Sequence, residues 1–283
     1  MVFESTIMSA YKAITALISA IILMITGIGE SNLPSPDGAE VCNKISYALL
    51  DAKASSQGVT NDGEYFYFSG NEYLGKADIK TGEMQKIVYK AIPEVLTDKG
   101  CNHIGGLSYY NGLIYAAIEE GPKYNFSYIA LFDAETLEFT GRYYRMPHEL
   151  HLEGVPWCAV DVENHCVYTA EWTNATVINA FDLDDLTFIK SITLSEPIDR
   201  IQGAELYDGK LYLSCDEEND KKRILTADIK TGEVKTAFTR NIGAEFEAED
   251  ITITVDEQGP IFHVLDRGAS RDSTNLTSYR MTK

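Results

Sequence analysis

The sequence predicts an all-β chain folded as a single ring of about five four-stranded sheets, a β-propeller, and three observations carry that prediction. The hexapeptide DIKTGE occurs twice, at residues 78–83 and 228–233, and two degenerate versions lie between, FDAETLEF at 132–139 and FDLDDLTF at 181–188. The turn aspartates Asp78, Asp133, Asp182 and Asp228 are separated by 55, 49 and 46 residues, which is close to the size of one propeller blade. Short runs rich in Tyr, Phe, Val, Ile and Thr flank these turns, the composition of pleated, half-buried surfaces.

A second turn keeps the same register earlier in each unit: NDGEYFYF from Asn61, YNGLIYAA from Tyr110, ENHCVYTA from Glu163, YDGKLYLS from Tyr207 and EQGPIFHV from Glu257. Asn-Gly and Asp-Gly supply the positive φ of a type I′ hairpin turn. Each unit therefore reads as strand, tight turn, aromatic second strand, looser loop, third strand, D-x-x-T-G turn and fourth strand, the layout of a blade. Five units start near Gln57, His103, Trp157, Ile201 and Glu249. The fifth ends after its third strand, TSYRM at 277–281, while KISYALLDA at 44–52 is an orphan strand ahead of the first unit. Pairing the two closes the ring and leaves no open edge. A six-bladed ring with one degenerate blade is the alternative.

Residues 1–29 carry an uncharged apolar run preceded by Lys12 and followed by the Pro-rich SNLPSPDG. This reads as a secretory signal peptide, or as a membrane anchor if it stays uncleaved. Residues 30–41 then form a linker and 42–283 the propeller domain. The expected location is secreted, and the chain is expected to be a monomer. Three N-x-S/T sequons, at Asn125, Asn174 and Asn275, fit glycosylated surface loops of such a chain. Five cysteines, Cys42, Cys101, Cys158, Cys166 and Cys215, leave room for one or two disulfides, and the absence of any CxxC pair argues against structural zinc.

The net charge of −19 survives removal of residues 1–29, because one Lys and one Glu leave together. Such a surface repels a phosphate backbone, so nucleic acid is excluded as a partner, and it favours cations. Solubility alone also accounts for it.

In a propeller the loops that lead into the first strand and out of the second share one face. Four residues past the Tyr or Phe of each second strand stand Asn71, Glu119, Trp172, Asp216 and Asp266, with Glu72, Glu120, Glu171 and Glu217 beside them. On the leading side of the first strands lie His103, Arg200, Glu247, Glu249 and Asp250. Oxygen ligands converging from several blades suit Ca²⁺, so Asn71, Glu119, Asp216, Glu249 and Asp266 are candidate metal ligands. A bound ion would polarise a carbonyl or phosphoryl oxygen, with His103 and Glu249 as candidate catalytic groups. Solvated loop acids are the plainer reading of the same ring.

Trp157 and Trp172 are core fillers or a stacking platform, and with Arg200 and Gln202 they are candidate ligand-binding residues. HELH, with His148 and His151 three apart, lacks the i, i+4 pair of a zinc protease and reads as solvated loop. No G-x-S-x-G elbow, P-loop or dinucleotide fingerprint is present, and NHIGG opens a strand rather than a helix.

The inner-strand pairs Gln202-Gly203 and Glu249-Asp250, with the D-x-x-T-G punctuation, resemble the secreted calcium-dependent propellers of the gluconolactonase, paraoxonase and strictosidine synthase-like type, and the five-bladed calcium-activated nucleotidases. The resemblance covers residues 57–281 as a repeat pattern. It implies a secreted Ca²⁺-dependent hydrolase acting on a small ester, lactone or phosphate-type substrate. The alternative is a non-catalytic propeller that binds a carbohydrate or protein partner through Trp157, Trp172 and Tyr-rich loops such as PKYNFSY.

Overall fold

A computed structural model describes residues 35–217, 221–269 and 272–282. The signal or anchor segment at 1–29 lies outside them, as does the start of the linker. Among the described residues no helix is long and apolar enough to cross a membrane.

The first strand, β1 (Ala39–Ala48), is followed by a short helix, α1 (Leu49–Ala54). The expected orphan strand thus starts earlier than Lys44 and stops at Ala48, where Leu49 takes a positive φ. Blade 1 comprises β2 (Val59–Asn61), β3 (Tyr65–Gly70), β4 (Tyr73–Asp78) and β5 (Met84–Tyr89). Blade 2 comprises β6 (His103–Tyr110), β7 (Leu113–Glu119), β8 (Ser127–Asp133) and β9 (Phe139–Arg145). Blade 3 holds β10 (Ala159–Asp161), β11 (Cys166–Thr169), β12 (Ala175–Asp182) and β13 (Phe188–Ile198). Blade 4 holds β14 (Ile201–Tyr207), β15 (Lys210–Cys215), β16 (Lys221–Asp228) and β17 (Val234–Asn241). Blade 5 is completed from both ends of the chain: β18 (Glu247–Asp256), β19 (Gly259–Arg267) and β20 (Ser273–Met281) are joined on the outside by β1. This is the five-bladed propeller, closed by its N-terminal strand, that the repeat predicts.

The turns follow from their residues. Asp78 Oδ1 accepts the N–H groups of Lys80 and Thr81 at 2.9 and 2.8 Å and the Thr81 hydroxyl at 3.0 Å. Asp133 and Asp228 repeat the same three bonds. These donors hold all three carboxyls below their ordinary value. Gly82 and Gly232 supply the left-handed residue that ends two of the turns, and Leu137 and Leu186 take it in the degenerate copies. A leucine there costs roughly 1–2 kcal/mol of backbone strain. Both leucines are buried in the core, which offsets it.

Five hydrophobic clusters fill the five gaps between neighbouring blades. Tyr67 and Leu74 meet Ile104 and Ile114 between blades 1 and 2; Tyr115 and Ile129 meet Val167 and Phe181 between 2 and 3. Trp157 and Tyr168 meet Leu211 and Leu213 between 3 and 4; Ile224 and Phe238 meet Phe262 and Tyr279 between 4 and 5. Leu265, Leu276 and Tyr47 close the ring against Phe66 and Phe68 of blade 1. The aromatic second strands are thus the mortar between blades.

All five cysteines are free thiols, four of them buried, so the room for disulfides is not used. Asn125 and Asn174 are exposed, but Asn275 lies within β20, its side-chain oxygen accepting the Ser46 hydroxyl at 2.7 Å, rather than on a loop.

Candidate functional site

At or just before the start of the innermost strand of each blade stands a residue pair: Gln57-Gly58, Gly105-Gly106, Pro156-Trp157, Gln202-Gly203 and Glu249-Asp250. The first member of every pair lines one cavity of about 630 Å³. The second members pack in the layer below it. A Cβ on Gly58 would meet Ser69 Oγ at 2.5 Å, one on Gly106 would meet Trp157 Cβ at 2.8 Å, and one on Gly203 would overlap the Asp250 carboxylate. Asp250 plugs this axis. Its Oδ2 accepts N–H groups from Val59 and Leu107 of two other blades at 3.0 and 3.1 Å, and Oδ1 accepts the Ile251 N–H at 2.8 Å. Burial pushes its carboxyl up, and the three N–H donors pull it back down.

The trailing ends of the second strands brace one blade to the next. The Asn71 carbonyl accepts the Ile104 N–H, and the Trp172 carbonyl accepts the Ile201 N–H, both at 2.9 Å. Glu119 Oε2 accepts the Val155 N–H at 2.9 Å, and Asp216 Oδ1 accepts the Ala248 N–H at 3.0 Å. Four of the five positions that stand four residues past the second-strand aromatic, three of them candidate metal ligands, are therefore blade-junction residues.

The cavity itself is lined by Gln57, Asn71, Asn102, His103, Glu119, Tyr124, Glu153, Trp172, Gln202, Glu247, Glu249 and Arg267, with Gly105, Gly121, Pro122 and Pro156. A polar chain runs along it. Glu119 Oε1 lies 3.2 Å from His103 Nδ1, His103 Nε2 lies 2.6 Å from Gln57 Oε1, and Gln57 Nε2 donates to Glu249 Oε1 at 3.3 Å. With Gln57 Oε1 able only to accept, Nε2 of His103 carries a proton, so the lone pair a general base needs is not on that nitrogen. Arg267 sits 3.3 Å from Glu247 and 3.8 Å from Glu249. Burial, and then the neighbouring Glu247 charge, push the Glu249 carboxyl well above its ordinary value. Trp172 carries the Arg200 guanidinium over its ring at 4.8 Å.

The structure thus brings Asn71, His103, Glu119, Trp172, Gln202 and Glu249 together around one cavity. Asp216 and Asp266 do not join them. Asp216 is held by Lys222 Nζ at 2.9 Å and by Arg200, and Asp266 is paired with the fully buried Arg240. Two of the five expected calcium ligands are thus already paired with the protein's own cations, and the expected five do not meet around one cavity. Trp157 is fully buried between blades 3 and 4 and does not line the cavity. Arg200 stands behind Trp172, on Asp216. His148 and Glu149 are exposed, as expected for a loop, but His151 is buried, with Nδ1 3.0 Å from the Pro147 carbonyl and Nε2 2.7 Å from Thr169 Oγ1. Among the described residues, the one grouping of His, Cys, Asp and Glu close enough to share an ion is His165, Asp182 and Asp184, away from the cavity.

Gln57, Asn102, Tyr124, Glu153 and Arg267 were not marked by the repeat, although Tyr124 lies in the PKYNFSY loop expected to bind a ligand. Gln57 had a signal: it heads a Q-G pair, as Gln202 does. Tyr124 and Glu153 come from the loops 120–126 and 146–158, which follow no repeat.

No known protein-family profile matches the chain, and no curated protein matches it. The likeness to calcium-dependent propellers therefore rests on the repeat alone. Among solved structures the chain is similar to an exo-β-1,3-galactanase, 1,3Gal43A, from Clostridium thermocellum, at a TM-score of 0.57 and 15% identity over 85% of this chain and 62% of that one. It also matches hydrazine synthase of Kuenenia stuttgartiensis, at a TM-score of 0.44 and 12% identity over 90% and 65% of the two chains. The chain spans less than two thirds of either of these proteins. The galactanase likeness shows the fold alone.

Proposed function

We propose that the cavity at the mouth of the propeller binds a small polyhydroxylated ligand of the carbohydrate class. One observation carries this reading: four side-chain amides (Gln57, Asn71, Asn102, Gln202), four carboxylates (Glu119, Glu153, Glu247, Glu249) and two aromatic rings (Tyr124, Trp172) share a single cavity. A sugar hydroxyl both donates and accepts, which amides and carboxylates together satisfy. The apolar C–H face of a sugar ring packs on an aromatic ring. Four carboxylates against Arg267 oppose a phosphate-type ligand. Among the described residues no Ser, Thr, Cys or Lys lines the cavity to act as a nucleophile on an ester or lactone.

Binding of mono- and oligosaccharides to the full-length chain, followed by calorimetry, tests the reading. Trp172→Ala and Gln202→Ala are each expected to weaken the bound sugar about tenfold, for a loss of about 1.4 kcal/mol, without lowering the melting temperature by more than a few degrees. Absence of saturable binding across the sugar panel overturns it.

A further inference from the structure

We propose that the ligand carries an amine, and that its ammonium group seats on Glu249 at the base of the cavity, making the preferred ligand an amino sugar. This rests on the carbohydrate reading of the same cavity.

The argument comes from comparing the buried carboxylates with one another. Asp216 holds Lys222 at 2.9 Å, Arg200, and the Ala248 N–H at 3.0 Å. Asp266 pairs directly with Arg240, and Asp250 accepts three backbone N–H groups. Asp161 accepts from the Asn164 backbone and side chain at 2.9 and 2.7 Å and from the Tyr168 hydroxyl at 3.1 Å. Glu119 has the Val155 N–H and His103; Glu120 has Asn125 at 3.0 Å and Lys123 at 3.5 Å. Glu249, only 2% exposed, has one long amide bond of 3.3 Å and a cation at 3.8 Å that is closer to Glu247. It is the under-partnered member of the set, and it is also the one that lies at the junction of the cavity with the axial plug.

A buried carboxylate without a near cation is costly, and a direct ammonium pair recovers much of that cost. The charged groups facing Glu249 are Glu247 and Asp250 on its own strand, Arg267 on the next strand and Asp216 from blade 4; with Asp216 already held by Lys222 and Arg200, the acids Glu247, Glu249 and Asp250 stand against the single cation Arg267. The base of the cavity is therefore negative. A divalent ion is poorly matched, since no two other carboxylate or imidazole groups come close enough to Glu249 to share one among the described residues. A single ammonium with three donors needs only Glu249 and neighbours such as the Gln57 amide oxygen.

Calorimetry on the full-length chain with glucosamine, galactosamine and mannosamine, each against its parent hexose and its N-acetyl form, tests the inference. The expected result is at least tenfold tighter binding of one free amine than of its two neutral counterparts at low salt. That preference should shrink at 0.3 M NaCl and vanish in Glu249→Gln, while Glu249→Asp retains part of it. Parent hexoses binding as tightly as the amines overturn the ammonium seat and leave the carbohydrate reading standing. Spermidine binding more tightly than every amino sugar, with the same dependence on Glu249, removes the carbohydrate reading and keeps the seat. Binding of neither sugars nor spermidine overturns both.

Discussion

Lys222 and Arg240 stand directly opposite each other on β16 and β17, two buried cations paired across neighbouring strands of blade 4. Like charges in such a pair repel. They are tolerated because each has its own buried aspartate, Asp216 for Lys222 and Asp266 for Arg240. Arg240→Met leaves Asp266 buried without its partner and is expected to cost about 3–5 kcal/mol in urea unfolding. The double variant Arg240→Met with Asp266→Leu should recover most of that loss. A single substitution costing under about 1 kcal/mol would show that the pair is not what neutralises Asp266.

The same two cations predict the response to calcium. Because Asp216 and Asp266 are occupied, a calcium titration of the full-length chain after chelation is expected to leave the melting temperature unchanged up to millimolar concentration. A saturable rise lost in Asp216→Asn would contradict this, since binding to the folded state alone raises stability by mass action.

Acid should weaken the fold through two buried histidines. His151 and His263 are both pushed down to about 4 by burial, and both rings sit among neutral partners: the Pro147 carbonyl and Thr169 for one, Thr254 and Ser278 for the other. A histidine whose folded value lies below its unfolded value of about 6.5 stabilises fully above that pH, and the contribution is lost as pH falls from about 6.5 through about 4. The loss is of the order of 3 kcal/mol for each ring. Unfolding free energy measured across this window should fall steeply, and His263→Gln should flatten the fall. An unchanged slope in that variant would mean that His263 protonates without disturbing the fold.

Two glycines separate close packing from turn geometry. Gly209, at φ +69, has nothing within 4 Å of an added Cβ, so Gly209→Ala is expected to cost about 1 kcal/mol of backbone strain. Gly203→Ala would drive a methyl into the Asp250 carboxylate on the propeller axis and should cost at least twice as much. Thermal melts of the two variants side by side test the ranking, and equal losses would mean that the axial layer yields easily.

The fold was legible because its signals are local. The turn aspartates cap their own loops, Asn111-Gly112 and Asp208-Gly209 supply the positive φ of their hairpins, and each blade repeats the message. The site was legible only by half. Counting from the second-strand aromatic found Asn71, Glu119 and Trp172, because strand register fixes which residue reaches the mouth. It could not tell that Asp216 and Asp266 are spent on Lys222 and Arg240, since those cations come from the third and fourth strands, at offsets that differ between blades. Trp157 and Trp172 occupy related loops, yet one fills a blade gap and the other the cavity wall. That difference comes from one residue of offset relative to the axial layer, where Pro156 takes the lining position and Trp157 the packed one.

The ring closes through β1 and β20, with Ile45 opposite Leu276 and Tyr47 opposite Thr274. The first strand of the propeller to be synthesised is thus the partner of the last. While blades 1 to 4 can assemble from neighbouring hairpins as they emerge, β1 has no partner strand until β20 has been made, and contacts this distant in sequence form slowly. The nascent chain must carry an unpaired strand until blade 5 is made, and a chain cut short before β20 would keep four finished blades and a ring with no clasp.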